Sequence, residues 1–306
     1  MCEKRNLASP LRATLGYANA LMLIIFMGYR VRKQLMIVLI VIIILALIGA
    51  GVYLAFFRQA PTCFDGIQNH NEEGVDCGGP CTFSCERLTI KDIQVSWVKF
   101  FPLNSGKYDL AAYLINPNPN FGLSKLNYTF RLFGSAGELI KEQFGESFIL
   151  PNQKKYLIEG GVNISEKVAK AELFLSSVPK EEWKKINENY SLPALYVYNK
   201  QFGFLENPPG AFEVSGLIKN DSAFNFENIV VSVILLDGDR RIVGVNKTEA
   251  RTVLAGEDRY FLTFWPASIG EELLESLESE IQVETNLLSD DNFMRKYGVP
   301  EKFQEY

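Results

Sequence analysis

Histidine is nearly missing from this chain of 306 residues: there is one, His70. A single imidazole removes Ser-His-Asp and Cys-His catalytic arrangements unless one loop supplies the base alone. Also missing are a P-loop, a Gly-rich dinucleotide turn and an HExxH pair, and with them the usual nucleotide and zinc-protease chemistries. Acidic residues are almost absent from the first 58 positions, where Glu3 stands alone, and charge of either sign is absent from Leu35 to Phe57. Beyond that point basic excess is what is lacking. Seven of the 31 Lys+Arg lie within residues 1–58, so residues 59–306 carry 24 basic against 35 acidic groups, a net charge of −11. Such a surface, with no basic stripe, repels phosphate backbones and anionic headgroups, which excludes nucleic acid as a partner.

The uncharged stretch reads LMIVLIVIIILALIGAGVYLAFF, 23 residues. At about 1.5 Å per residue it spans the roughly 30 Å of a hydrocarbon core. Arg30, Arg32 and Lys33 precede it, with Lys4, Arg5 and Arg12 further back, and only Arg58 follows closely. The positive-inside bias therefore predicts a single-pass protein of the plasma membrane with residues 1–34 cytoplasmic and everything after Arg58 extracytoplasmic. A cleaved signal peptide is the rival, but the run exceeds a signal peptide's apolar core and no small-x-small site precedes Ala60, nor a lipobox Cys63. A weaker apolar stretch, Ala13 to Tyr29, precedes the main one, and the sequence from Met27 onward reads as an ordinary membrane-protein start. Residues 1–26 are accordingly expected to be an upstream extension.

Four of the five cysteines, Cys63, Cys77, Cys81 and Cys85, crowd into one acidic, Gly-rich stretch, CFDGIQNHNEEGVDCGGPCTFSC. In an oxidising compartment they read as two disulfides, with three pairings open. Structural zinc is the alternative, although the spacing is unlike two separated Cys-x-x-Cys knuckles. Cys2 is left over as a cytoplasmic thiol. Between the cysteines, Asp65, Asn69, Asn71, Glu72, Glu73 and Asp76 offer hard oxygen ligands along a loop bent by Gly66, Gly74, Gly78 and Gly79. Calcium is the cation that prefers such donors, with Asp65, Asn69, Asn71, Glu72 and Asp76 as candidate ligands; the competing reading has these residues capping turns. The stretch resembles a C-x-D-G-x-x-N-x-x-E-x-x-x-D-C-G-G-x-C element of secreted proteins, through Cys63, Asp65, Gly66, Asn69, Glu72, Asp76, Cys77, Gly78, Gly79 and Cys81. That resemblance implies a small disulfide-tied stalk, residues 59–86, able to take calcium.

After Glu86 short runs of Val, Ile, Phe and Tyr alternate with Asn, Pro and Gly, the trace of an all-β sandwich fold. Sliding the sequence by 104 residues lays YDLAAYLIN (108–116) on FEVSGLIKN (212–220) and FILPNQKKYLIE (148–159) on TVLAGEDRYFLT (252–263). Asn116 then meets Asn220, Leu150 meets Leu254, Tyr156 meets Tyr260 and Leu132 meets Leu236. Two tandem β-sandwiches are expected, at 87–180 and 192–306. In the first, Leu126, Tyr128, Phe130 and Leu132 alternate with Asn127, Thr129 and Arg131, giving one dry and one wet face. In the second, residues 229–236 are apolar on nearly both faces. Between the two, PKEEWKKINENYSLP is expected to form an amphipathic linker helix over 181–191 carrying Trp183 and Ile186. A further helix is expected at Ile269 to Leu277.

The second copy resembles the FxLYD domain and its late-embryogenesis-abundant-like relatives. The resemblance rests on Val214, Gly216, Ile218, Asn220, Val233, Leu235, Leu236, Asp237, Val243, Gly244, Leu254, Gly256, Glu257 and Phe264. It implies immunoglobulin-like or fibronectin-III-like sandwiches on the outer face of microbial membranes. It implies no chemistry, since a fold does not carry one.

Aromatics cluster on the first strand of each copy, SWVKFFP (96–102) and YVYNKQFGF (196–204). Most belong in a core, and a surplus would serve partner contact or strand addition. Sequons stand at Asn127, Asn163, Asn189, Asn220 and Asn246. The reading that follows is a membrane-anchored extracytoplasmic binding or cell-envelope structural protein, not an enzyme, whose partner is an extracytoplasmic protein or glycan. The alternative is a hydrolase working through two carboxylates, which would need a deep cleft with the pair facing each other.

Overall fold

Alternation of period two governs most of the chain, and the computed structural model resolves it into thirteen strands among the described residues, 28–54, 63–69, 71–81, 84–103, 106–205, 211–265 and 276–299. The chain divides into two compact units, 1–70 and 71–306. In the first lies the one described helix long and apolar enough to cross a membrane, α1 (Tyr29–Val52, 24 residues), with none of its residues buried. It begins six residues before the uncharged run, so Arg30, Arg32 and Lys33 form its first turns. The expected extension at 1–26, the thiol Cys2 and His70 lie outside the described residues.

The second unit is a pair of sandwiches, each of two three-stranded sheets. The first comprises β1 (Gln94–Pro102), β2 (Lys107–Ile115), β3 (Phe121–Phe133), β4 (Leu139–Ile149), β5 (Lys154–Asn163) and β6 (Lys170–Leu175). Its sheets run β1-β2-β5 and β4-β3-β6. A two-residue strand, β7 (Lys184–Lys185), adds to the start of β3. The second sandwich has β8 (Leu195–Leu205), β9 (Ala211–Asn220), β10 (Phe226–Leu236), β11 (Ile242–Val253), β12 (Asp258–Trp265) and β13 (Glu278–Glu284). Its sheets run β8-β9-β12 and β11-β10-β13, the same order strand for strand, and every pairing is antiparallel. Leu110, Leu114, Leu126, Tyr128, Phe130 and Leu132 build the first core. Val214, Ile218, Ile229, Val231, Val233, Leu235 and Trp265 build the second.

One asparagine turns the same corner in each sandwich. Asn116 Nδ2 donates to Phe121 O (2.7 Å) and Leu150 O (2.8 Å), and its Oδ1 accepts from Asn118 N (3.1 Å). Asn220 Nδ2 donates to Phe224 O (2.8 Å) and Leu254 O (3.0 Å), and its Oδ1 accepts from Ser222 N (3.2 Å). Both asparagines are fully buried and tie two stretches of backbone together, sharing Leu150 O and Leu254 O with the N–H groups of Gln153 and Glu257. Gln153 and Glu257 complete the corners identically, their side chains accepting from Leu150 N and Leu254 N, each at 2.7 Å. With its amide spent inside the fold, Asn220 is no glycan acceptor in the folded state.

The 104-residue offset fails in one place. The first corner takes five residues from Asn116 to Phe121, and the second takes four from Asn220 to Phe224. Leu132 consequently sits in the first core whereas Leu236 lies in a separate cluster between the sandwiches, and the residue that answers Leu132 is Leu235. A one-residue slip turns every side chain of a strand over, so the expected match of Leu132 with Leu236 joins opposite faces.

The connection is not the expected helix. Lys180–Glu182 make one 3-10 turn, β7 is extended, and Ile186 bridges to Gly298. Trp183 is buried in the first core and Ile186 in the second. Residues three apart share a face of a helix but point to opposite sides of a strand, and these two must enter different cores. The chain's end seals the junction: helix α2 (Asp291–Tyr297) inserts Phe293 into the second core beside Leu287 and Leu288. The helix expected at Ile269 to Leu277 falls mainly on residues outside the described ones.

Candidate binding cleft between the two sandwiches

Disulfide chemistry settles the cysteine loop. Cys77 pairs with Cys85 (Cα–Cα 4.8 Å), and Cys63 and Cys81 are disulfide-bonded as well. Oxidised sulfurs supply no thiolate, which removes the zinc alternative. Of the candidate calcium ligands, Asp65 accepts from Ile67 N and from Asn69 Nδ2, both at 2.9 Å. Glu72 is buried, with Oε2 accepting from Asp76 N (3.2 Å) and Oε1 3.1 Å from Cys81 Sγ. Asn71 and Asp76 hold turns at φ 69° and 56°. Asp65 and Glu72 thus both accept hydrogen bonds from the loop's own turns. The stretch after the cysteines is docked onto the first sandwich: a short helix, Cys85–Leu88, buries Arg87, whose guanidinium donates to Lys180 O and lies over the Phe121 ring. Asn118 then holds Lys91 by both its amide N–H and its carbonyl, at 2.8 Å each.

The two sandwiches meet sheet against sheet. From β1-β2-β5 come Trp97, Phe101, Ala111, Tyr156 and Ile158, and from β11-β10 come Ile234, Leu236, Ile242 and Val245. This is why residues 229–236 are apolar on both sides: Val231, Val233 and Leu235 face their own core, and Ile234 and Leu236 face the neighbouring sandwich. Alongside, three alternating residues of β13 read the edge strand β5. Glu280 accepts from Tyr156 OH (3.0 Å), Gln282 accepts from Tyr156 N (2.9 Å) and donates to Lys154 O (2.7 Å), and Glu284 takes Lys155 Nζ and Gln153 Nε2. Gln282 occupies the free edge of β5 as a neighbouring strand would, which protects it.

The Lys155–Glu284 pair is almost completely buried. Burial pushes the Lys155 ammonium down and the Glu284 carboxyl up, each against the pull of its partner. Lys155 also lies 3.7 Å from the centroid of the Phe148 ring. Nothing in the sequence marks these two residues apart from other surface-type charges; the only cue is the two-sided apolarity of β10, which announces a second layer.

Beside the pair opens a cleft of about 670 Å³ whose walls come from both sandwiches. Glu227, Glu249, Glu284, Asp290 and Asp291 line it against Lys155 and Lys247, and Glu146, also among the lining residues, is paired with Lys125 (2.8 Å). Lys247 is engaged by Glu159 (3.0 Å), which also accepts from Tyr128 OH (2.5 Å). That phenol lies against Gly145, where a Cβ would come within 2.3 Å of the ring, so any side chain there would push Tyr128 out of place. The buried oxygens Asn228 Oδ1 and Asn286 Oδ1, on two lining residues, receive no hydrogen bond from the described residues. The cleft is therefore rich in acceptors, and its most buried carboxylate is held by a lysine.

No family model matches the chain, and no curated protein matches it. Among solved structures it is similar to red sea bream transglutaminase (7% identity, 64% of this chain and 29% of that one, TM-score 0.20). It is also similar to a calcium-binding mutant of Bacteroides uniformis beta-glucuronidase 2 (12% identity, 61% and 26%, TM-score 0.20). A third likeness is to the C-terminal globular domain of an oligosaccharyltransferase from Pyrococcus abyssi (12% identity, 76% and 54%, TM-score 0.21). The chain spans about a quarter to about a half of the length of these proteins. Overlaps this loose carry no argument about activity; the all-β, double-sandwich fold rests on the strand pairings themselves.

Proposed function

We propose that this chain is a membrane-anchored extracytoplasmic binding protein. Helix α1 serves as an uncleaved anchor with its N-terminus in the cytoplasm, and the paired sandwiches present the cleft outside. The carrying observation is the cleft's lining, in which the carboxylates of Glu227, Glu249, Asp290 and Asp291 stand beside lysines already engaged, Lys155 by Glu284 and Lys247 by Glu159. Such a surface suits a ligand that brings positive charge and N–H groups, and a Lys- or Arg-rich segment of an extracytoplasmic protein has both. The buried Lys155–Glu284 pair and the capped edge of β5 hold the two walls together, so the ligand meets a preformed site.

The test uses the full chain in nanodiscs and a fluorescent hexalysine peptide, with hexaglutamate and a neutral hexasaccharide alongside. Binding of hexalysine alone is expected, weakened at least tenfold by Glu227→Lys with Glu249→Lys while the melting temperature holds. Equal binding of all three probes, or hexalysine binding untouched by the reversal, would sink the reading. A reporter placed after Tyr306 checks the orientation separately, and must face outward.

A further inference from the structure

The fold sorts the five Asn-x-Ser/Thr sequons by what their side chains and backbone are already doing. A sugar transferase needs the asparagine carboxamide and the hydroxyl two residues on, both presented on backbone that a neighbouring strand does not hold. Asn220 fails, since its Nδ2 is spent on Phe224 O and Leu254 O. Asn246 fails likewise, with Nδ2 donating to Phe264 O and Oδ1 accepting from Lys247 N, each at 2.7 Å. Asn127 is exposed but stands on the middle strand of β4-β3-β6, opposite Glu146 on one side and accepting from Ser176 N (3.0 Å) on the other. Asn189 is exposed too, but the Ser191 hydroxyl of its sequon is hydrogen-bonded to Tyr297.

Asn163 meets both demands. It is the last residue of β5, and Ser165 lies in the bend that follows. Both are exposed, while Ile164 between them is 4% exposed and donates its N–H to Gly106 O (2.8 Å). Alternation thus turns the carboxamide and the hydroxyl to the same outer side. Glu166 and Lys167 continue the exposed stretch until Val168 is buried again. Neither the Asn163 carboxamide nor the Ser165 hydroxyl is hydrogen-bonded to a described residue.

We infer that Asn163 is an N-glycosylation site, which takes its sugar from a polyprenyl-phosphate-linked donor on the outer side of the membrane. The bond from Asn163 Nδ2 to sugar C1 forms as the C1–O bond to the donor's phosphate breaks. The polyprenyl phosphate departs with the electron pair, and Nδ2 releases one proton. The inference rests on the outward orientation proposed above. It leaves the cleft open, because the cleft residue Lys155 stands near the other end of β5, roughly 25 Å away at about 3.3 Å per residue.

Peptide mapping by mass spectrometry, on the full chain purified from the membranes of its own cells, tests this. The peptide holding Asn163 is expected to be heavier by whole sugar residues, and those holding the other four sequons to keep their bare masses. Asn163→Gln and Ser165→Ala should each return that peptide to its bare mass, whereas Ser165→Thr should keep the sugar. Only transfer directed by the sequon depends on the hydroxyl in this way. Circular dichroism certifies that each variant folds, and the wild-type map decides the matter by itself should one fail to. A bare Asn163 in a chain whose reporter after Tyr306 faces outward would overturn this proposal alone, and an inward reporter would overturn the orientation with it. Sugar on any of the other four asparagines, or sugar persisting in Ser165→Ala, would overturn it as well.

Discussion

The two sandwiches share a strand order, an asparagine corner and a capping Gln or Glu, yet their sheets meet different surroundings. The face of β1-β2-β5 is buried by a neighbour, and that of β8-β9-β12 is covered by no described residue. The face of β3 that turns from its core carries Lys125, Asn127, Thr129 and Arg131, while the corresponding face of β10 carries Ser232, Ile234 and Leu236. A strand's second face therefore records its outer neighbour independently of the core it helps to build. The interface should accordingly be more sensitive to substitution than either outer surface.

The largest effect is expected at the buried pair. Lys155→Met leaves Glu284 buried without its cation and should cost about 3–5 kcal/mol in denaturant unfolding, whereas Lys155→Met with Glu284→Leu should come back to within about 1 kcal/mol of wild type. If the double variant were as unstable as the single, the pair would not be what joins the sandwiches here. Next come the corners. Asn116→Ala and Asn220→Ala each remove three buried hydrogen bonds that close a corner and should cost about 2–3 kcal/mol. Should the two sandwiches unfold as one body, both substitutions shift a single transition; two separated transitions, each moved by one variant, would show that the interface is the weaker link.

Much of this was legible in the sequence, for reasons that particular residues make plain. Period-two patterning gave Leu126 to Leu132 their core face, and the 104-residue offset located β2, β5, β9 and β12, because turn residues such as Asn116 and Asn220 are dictated locally. The linker was misread because Trp183 and Ile186 at a spacing of three satisfy a helix face when one core is assumed, and only the presence of two cores makes a strand the better solution. The offset misjudged Leu236 because a single extra residue in the Asn116 corner, invisible to a pattern of apolar positions, inverts the next strand. The cleft could not be read at all: its walls, near Lys155 and near Glu284, lie over a hundred residues apart and carry ordinary surface side chains.

A matched pair sharpens the contrast between covered and bare faces. Ile158→Ala, in the layer between the sandwiches, should cost about 2 kcal/mol, and Leu262→Ala, at the equivalent place on the bare face, about 0.5 kcal/mol or less. Equal costs would mean that burial by the neighbouring sandwich contributes nothing to stability.

The smallest effect isolates what covering a face does to charge. Asp109 is 3% exposed and accepts from Gly161 N (2.8 Å); a Cβ on Gly160 would lie 3.6 Å from both Asp109 Oδ1 and Asn246 Oδ1, which sets Asp109 beside β11 of the second sandwich. Burial raises its carboxyl to about 6, partly opposed by the Gly161 hydrogen bond. The unfolded value is about 3.9, so between the two the folded chain holds a proton that the unfolded chain has released. Its contribution is thus most favourable below about pH 4, is lost as pH climbs to about 6, and is constant above. Asp109→Asn keeps an acceptor for Gly161 and removes the titration. Unfolding measured at pH 4, 5, 6 and 7 should show the variant gaining on wild type by on the order of 1 kcal/mol, discounted from the full linkage value because the site is partly solvated. Parallel curves would show that the second sandwich leaves Asp109 as well hydrated as a surface carboxylate, and the difference between the two faces would then be one of shape alone.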